Sequence, residues 1–169
     1  MRRFAACAVV LVLLTAAPGA MAFFGDDDDE PMYVEANRVD IDDARGESRY
    51  KGSVEVKQGG IYIGGDNMIT YQNDKGEVDK MVTTGKPAVF TQKPGKEKKS
   101  MNAKADRIEF YLDNDLVLLL GNAQIKQSNT EFFGNRIEYN MSTQAVHAER
   151  GKSGKRVRMV LQPKKKAAK

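Results

Sequence analysis

What most constrains this chain is a two-residue rhythm of apolar and polar side chains, running through nearly all of it after residue 30. In "RYKGSVEVK", Tyr50, Gly52, Val54 and Val56 fall on one side, and Arg49, Lys51, Ser53, Glu55 and Lys57 on the other. Met32 and Val34 share a face in "MYVE", as do Val39 and Ile41 in "RVDID". Ile61 and Ile63, then Ile108, Phe110 and Leu112, continue the rule. Successive side chains of an extended strand point to opposite faces, so the rhythm specifies half-buried antiparallel strands. Turn-forming clusters punctuate it at Ala44-Arg45-Gly46, Gly59-Gly60, Gly64-Gly65-Asp66, Asn73 to Gly76, Lys93-Pro94-Gly95 and Asp113-Asn114-Asp115. No run of ten residues has a helical period. Many short strands at regular spacing predict an all-β sandwich, barrel or roll.

A second regularity lies on top of the first. Shifted by 69 positions without a gap, "ANRVDI" from Ala36 meets "ADRIEF" from Ala105, and "GSVEVKQ" from Gly52 meets "GNAQIKQ" from Gly121. "GDNM" from Gly65 meets "GNRI" from Gly134, and Gly85-Lys86 meets Gly154-Lys155. A weaker echo at 29 positions links Arg38 to Asn67 and Arg107 to Arg136. Two related halves built of stacked hairpins, each burying its apolar face on the next, have this signature.

The repeat also interprets the least polar run outside the N-terminus, "LVLLLGNAQI" from Leu116. Val117 aligns with Ser48, Leu119 with Tyr50 and Gly121 with Gly52, so the run is a strand. It is far too short to span a bilayer as a helix. Its counterpart alternates, whereas this strand is apolar on both sides, with Val117 and Leu119 on one and Leu118 and Leu120 on the other. Either the protein covers both faces, or something apolar outside the chain contacts one of them.

The ends have their own chemistry. Residues 1–22 read as a secretory signal: Arg2 and Arg3, an apolar stretch from Ala5 to Ala17, and an Ala20-Met21-Ala22 cleavage site. Cys7, the one cysteine, lies inside that segment, so the mature chain enters an oxidising compartment without disulfides. Residues 23–30 form an acidic leader, and residues 164–169 a basic tail, "KKKAAK". Between residues 23 and 163 there are 21 basic and 23 acidic side chains, so the basic pI belongs to the ends and does not argue for nucleic acid.

Candidate chemistry is sparse. With a single histidine, His147, and no mature cysteine, neither a catalytic triad nor a zinc site can be assembled. Asp40, Asp42, Glu55 and Glu109 fall on outward positions. No catalytic residue, metal ligand or cofactor is expected. What remains is an apolar inventory alternating onto one side, including Met68, Met81, Phe90, Phe110, Phe132 and Tyr139. A curved sheet can fill its interior with such side chains or leave a ligand groove.

The motifs "EPMYVEANRVDI", "YKGSVEVKQGGIYIGGDNM", "GKPAVF", "DRIEFYLDNDLVLLLGNAQI", "GNRIEYN" and "GKRVRMVLQP", in that order and spacing, resemble the LptA/OstA family over residues 30–163. The family serves the periplasmic bridge for lipopolysaccharide transport in Gram-negative bacteria. The resemblance implies an open, twisted antiparallel β-jelly roll over residues 31–163, built from two related halves and holding lipid A acyl chains. It carries lipid contacts onto Met32, Phe90, Phe110 and Leu112, and extends the groove to Val34, Ile41, Tyr50, Val54, Ile63, Ile108, Phe132 and Tyr139. A further family contact falls near Asp28, where this chain is acidic instead. Lys57, Lys86 and Arg107 are candidates for lipid phosphates. The resemblance also implies end-to-end stacking through unpaired sheet edges, here Met32, Tyr33, Val34 and Glu35 at one end and Val157, Arg158, Met159, Val160 and Leu161 at the other. The implied partners are lipopolysaccharide, further copies, and the inner- and outer-membrane transport proteins that carry similar rolls.

Overall fold

A computed structural model describes residues 30–94, 99–150 and 156–163. The expected signal, nearly all of the acidic leader and the basic tail lie outside these residues. Ten strands form one antiparallel sheet. In chain order they are β1 (Tyr33–Glu35), β2 (Arg38–Asp42), β3 (Glu47–Gln58), β4 (Ile61–Gln72), β5 (Val78–Gln92), β6 (Met101–Tyr111), β7 (Leu116–Gln127), β8 (Thr130–Asn140), β9 (Val146–Glu149) and β10 (Arg158–Leu161). From β3 to β8 each strand pairs with the next, β1 and β2 share the free side of β3, and β9 and β10 share the free side of β8. Among the described residues the one helical element is a single 3-10 turn, Leu112–Asn114.

The strands are fewer and longer than the sequence suggested. Gly64-Gly65-Asp66 was expected to end a strand, yet β4 runs straight through it. The pairing there slips between Gly64 and Asn67, which makes the glycines a bulge. A Cβ on Gly65 would sit 2.7 Å from the Thr84 carbonyl oxygen, so the glycine permits close approach of the neighbouring strand. Leu112, expected to close a strand, instead opens the 3-10 turn. Its neighbour Asp115 takes a left-handed conformation there, which bends the chain toward β7.

Equivalent slips occur at one height across the sheet: Lys51/Val54, Gly64/Asn67, Thr84/Ala88, Lys104/Arg107 and Leu120/Ala123. A row of bulges folds the sheet along a line, because each adds twist and bend to its strand. Phe90 and Phe110 show the result. In register Phe90 lies opposite Ala103, seven residues along β6 from Phe110. A straight strand would separate those positions by about 23 Å. Instead the two rings meet edge to face with centroids 5.1 Å apart. The sheet therefore has two facing walls, one containing Phe110 and the other Phe90.

The 69-residue repeat is visible in the walls. β3 maps onto β7 residue for residue, and β4 onto β8 to within its last residue. β6 maps onto β1 plus β2, and β5 onto β9 plus β10. Strands that are continuous in the middle of the sheet are thus interrupted at its two margins. The corner chemistry repeats as well. Gly52 and Gly121 both have positive φ and both lie against a polar side chain, Asn37 and Asp106 respectively. A Cβ on either would come within 2.5 Å of that side chain.

Candidate functional site

Between the walls lies a single apolar cluster assembled from every long strand. On the Phe110 wall, one inward rung runs Tyr50, Met68, Thr83, Ile108, Leu119 and Ile137. The next runs Thr70, Met81, Phe110, Val117 and Tyr139. On the Phe90 wall the corresponding rung is Val34, Val56, Ile63, Phe90, Ala103, Ile125, Phe132 and Met159. Period-two alternation produces these rungs, since antiparallel pairing in register lines up equal parity across the sheet.

The structure brings most of the expected groove residues together. Val54, Ile63, Phe90, Ile108, Phe110 and Tyr139 are buried in the cluster, and Met32, Val34, Tyr50, Leu112 and Phe132 are partly buried against it. Ile41 stands apart. Its backbone position opposite Ser48 puts it in the Phe110 rung, but on the margin strand β2 it is 67% exposed. Burial raises the Tyr139 pKa above its ordinary value, against the Gln127 amide 3.5 Å away, which favours the phenolate.

Sequence reasoning missed the polar side chains inside. Gln58, Thr83 and Gln92 occupy inward positions and are buried. Gln58 donates its amide hydrogen to the Glu30 carbonyl at 3.1 Å, while its side-chain oxygen and the Thr83 hydroxyl have no hydrogen-bond partner among the described residues. The shared "KQ" at Lys57-Gln58 and Lys126-Gln127 was the available signal.

The outer face differs in kind. Glu109 accepts hydrogen bonds from the Tyr111 hydroxyl at 2.5 Å and Arg107 Nε at 2.6 Å, with Lys80 Nζ 3.3 Å away. Burial opposes ionisation of this carboxyl, but those three partners outweigh it and hold its pKa below the ordinary value. Lys57 is bonded to Glu55 at 2.8 Å, and Arg107 to Glu109, so two of the three expected phosphate-facing cations already have carboxylate partners. Lys86 is exposed at the fold line beside Asp66 and Asp106.

The expected edge segments sit at opposite margins of the sheet, β1 bonded on one side to β3 and β10 on one side to β8. Beside β10, at the corner of β8, a cleft of about 580 Å³ is lined by Asn122, Phe133, Gly134, Asn135, Arg156 and Arg158. The Arg158 guanidinium lies 4.1 Å from the Phe133 ring centroid.

An antiparallel sheet folded into two walls, with an apolar interior and two margins bonded on one side only, defines a class: the open β-jelly roll. The model of the family described as LptA/(LptD N-terminal domain) LPS transport protein matches residues 33–145, and the chain belongs to that family. It is 32% identical over 162 residues to lipopolysaccharide export system protein LptH of Pseudomonas aeruginosa, covering 91% of this chain and 93% of that protein. It is 34% identical over 153 residues to lipopolysaccharide export system protein LptA of Escherichia coli K12, covering 89% and 80%. The crystal structure of LptH, described as the LptA-homologous periplasmic component of the lipopolysaccharide transport device, superposes with a TM-score of 0.72. That match has 29% identity and covers 81% of this chain and 99% of that one.

Proposed function

We propose that this protein is a periplasmic lipopolysaccharide carrier, without enzymatic activity, that forms part of the bridge between inner and outer membranes. In this reading residues 1–22 are removed on export, residues 23–30 and 164–169 flank the roll, and residues 31–163 hold the lipid A acyl chains between the walls. The observation that carries the reading is the apolar interior itself, continuous across β3 to β8 and centred on Phe90 and Phe110. Exposing an acyl chain of about twelve carbons to water costs roughly 10 kcal/mol at ~0.8 kcal/mol per methylene. A carrier must offset that cost along its whole path. Further copies, and the similar rolls of the membrane-bound transport proteins, would extend the trough by pairing at β1 and β10.

A photocrosslinking amino acid at Phe90 or Phe110 should capture lipopolysaccharide in the envelope, while one at outward Glu55 should not. Equal labelling at all three sites would overturn the groove.

One feature favours a second reading, a non-lipid-binding assembly protein acting through its edges. The Phe90 and Phe110 side chains are completely buried and touch each other, so the interior is filled where they meet. Under the carrier reading the walls must part along the bulge line for acyl chains to replace that contact. Native mass spectrometry of protein purified from its own envelope separates the two: co-purifying lipid A supports the carrier, and lipid-free protein supports the assembly role.

A further inference from the structure

The arginines of this chain divide into two groups. Arg38, Arg45, Arg49, Arg107 and Arg136 each lie within ion-pair distance of a carboxylate. Arg150, Arg156 and Arg158 have no carboxylate partner among the described residues. Arg150 follows β9, Arg156 precedes β10 and Arg158 begins it, so the unpaired group gathers at one margin. The acids around that margin are already engaged. Lys126 holds Glu131 at 2.9 Å, Arg136 and His147 hold Glu149, and the Asn122 amide donates to Asp106 at 2.9 Å. From Arg150 to Lys169 the sequence has nine basic and no acidic side chains, so the local charge is positive and uncompensated.

Arg156 and Arg158 line the cleft of about 580 Å³ at the corner of β8. The cleft lies where the margin is interrupted. β10 pairs with Thr130 to Phe133 and β9 with Arg136 to Tyr139, which leaves Gly134 and Asn135 between the two pairings. The Phe133 ring holds the Arg158 guanidinium by its face, and no oxygen among the described residues accepts from that group. Asn135 adds an amide that can donate and accept. Ala123 lines the cleft and also belongs to the interior cluster, so the cleft and the apolar interior share a boundary. The fold alone does not call for arginines here. The equivalent corner of the first half is a cleft lined by Asp66, Gly85, Lys86 and Asp106. The 69-residue repeat sets Asp66 against Asn135, Pro87 against Arg156 and Val89 against Arg158. In the second half an amide thus stands where the first has a carboxylate, and two guanidinium groups stand where it has neutral side chains.

We infer that this cleft binds a phosphate group, held by hydrogen bonds from Arg156 and Arg158 with the Asn135 amide beside them. A guanidinium presents paired donors that match two phosphate oxygens at once. The volume accommodates the phosphate together with the sugar that carries it. Since the cleft borders the interior at Ala123, its phosphate is one attached to the apolar guest. This last step rests on the carrier reading above, whereas the phosphate site itself does not. The arginines take the role for which Lys57 and Arg107 are spoken for by Glu55 and Glu109. The phosphorylated end of lipopolysaccharide then lies at the β8 corner while its acyl chains lie between the walls.

The test uses the full-length chain, secreted into the periplasm of a Gram-negative host and freed of lipid in detergent. Lipid A with its phosphates, the same lipid A after phosphatase treatment, and inorganic phosphate are titrated in turn. The parent should bind the phosphorylated lipid about tenfold more tightly, the order expected for hydrogen bonds to a charged group. In isotope-labelled protein that lipid should shift the amide resonances of Gly134 and Asn135, and the dephosphorylated lipid should not. Arg156→Gln with Arg158→Gln, both at exposed positions, should bind the two lipids equally. Arg156→Lys with Arg158→Lys should restore part of the preference. Equal binding by the parent, with inorganic phosphate still shifting Gly134 and Asn135, would overturn the lipid source and leave a site for free phosphate. Binding of neither lipid, with those phosphate shifts retained, would overturn the carrier reading and leave the site standing. A preference that survives the double glutamine variant would overturn the site, as would the absence of shifts with every phosphate compound. Shifts produced there by the peptide GDDDDEP of this chain's own leader, and by no phosphate compound, would overturn phosphate as the occupant.

Discussion

The two faces of β7 share nearly the same composition and meet opposite surroundings. Val117 and Leu119 point between the walls, where they are sealed among side chains from every long strand. Leu118 points outward and is still only 7% exposed, yet it is not part of that cluster. In register it lies between Glu109 and Glu138, and Leu120 lies between Arg107 and Arg136. Arg107 is bonded to Glu109 and Arg136 to Glu138, so paired charged heads flank the leucines, an arrangement in which long side chains can cover apolar neighbours with their aliphatic stems. Of the outer leucines, Leu118 is thus buried and Leu120 half-buried beside charged neighbours rather than within the cluster between the walls. An apolar side chain can be dry because a core encloses it or because long polar neighbours lie over it, and only the first kind makes an interior.

Substitutions that treat the two faces alike would break this distinction. The largest effect is expected at Phe110, where truncation to alanine removes the ring meeting Phe90 and should cost about 3–5 kcal/mol in chemical unfolding. A smaller loss would mean that the walls collapse to fill the space. On β7 itself, Leu119→Ala should cost about 3 kcal/mol, but Leu118→Ala only about 1 kcal/mol, because the flanking stems can settle into the gap. Equal costs would show that the outer leucines belong to a true core.

The outer network gives a pH-dependent counterpart. The Glu109 pKa is lower in the folded chain than its ordinary value, so the stability this carboxylate lends is complete above the ordinary glutamate range. It is lost as pH falls through the lowered value. Glu109→Gln should lower stability at neutral pH and flatten the acid limb of a stability-pH profile, converging with the parent at low pH. Parallel profiles would remove Glu109 from the account. The least change is expected for Lys57→Ala, whose ion pair with Glu55 lies in solvent, and its unfolding midpoint should match the parent's.

Much of the fold was legible from residues alone, for a physical reason. Strand parity is a local property, and Tyr50, Val54, Val56, Ile63 and Phe110 declare it one neighbour at a time. The repeat was equally legible, since Gly52 and Gly121 occupy equivalent corners. The distinction between a turn and a bulge was not, because Gly64-Gly65-Asp66 has the same composition in either case. What decides is whether the neighbouring strand continues past it, and Thr83 and Thr84 belong to another part of the chain. The outer face of β7 was illegible for a similar reason, since its cover comes from β6 and β8. Ile41 shows a further limit: parity placed it in the correct rung but could not reveal that its margin strand leaves it mostly exposed among the described residues.

The order in which the strands are joined has a consequence in time. From β3 to β8 every strand pairs with the one just before it in sequence, and β1, β2, β9 and β10 attach only at the margins. From β3 to β8 no pairing waits for a distant segment, so the loop-closure cost of each new strand is small there, whereas β1 must wait for β3 and β10 must return to β8 past β9. A chain delivered to its compartment N-terminus first can lay down each hairpin as it emerges, using the last strand formed as the template for the next. The edge that advances during such assembly is, at completion, the edge occupied by β9 and β10.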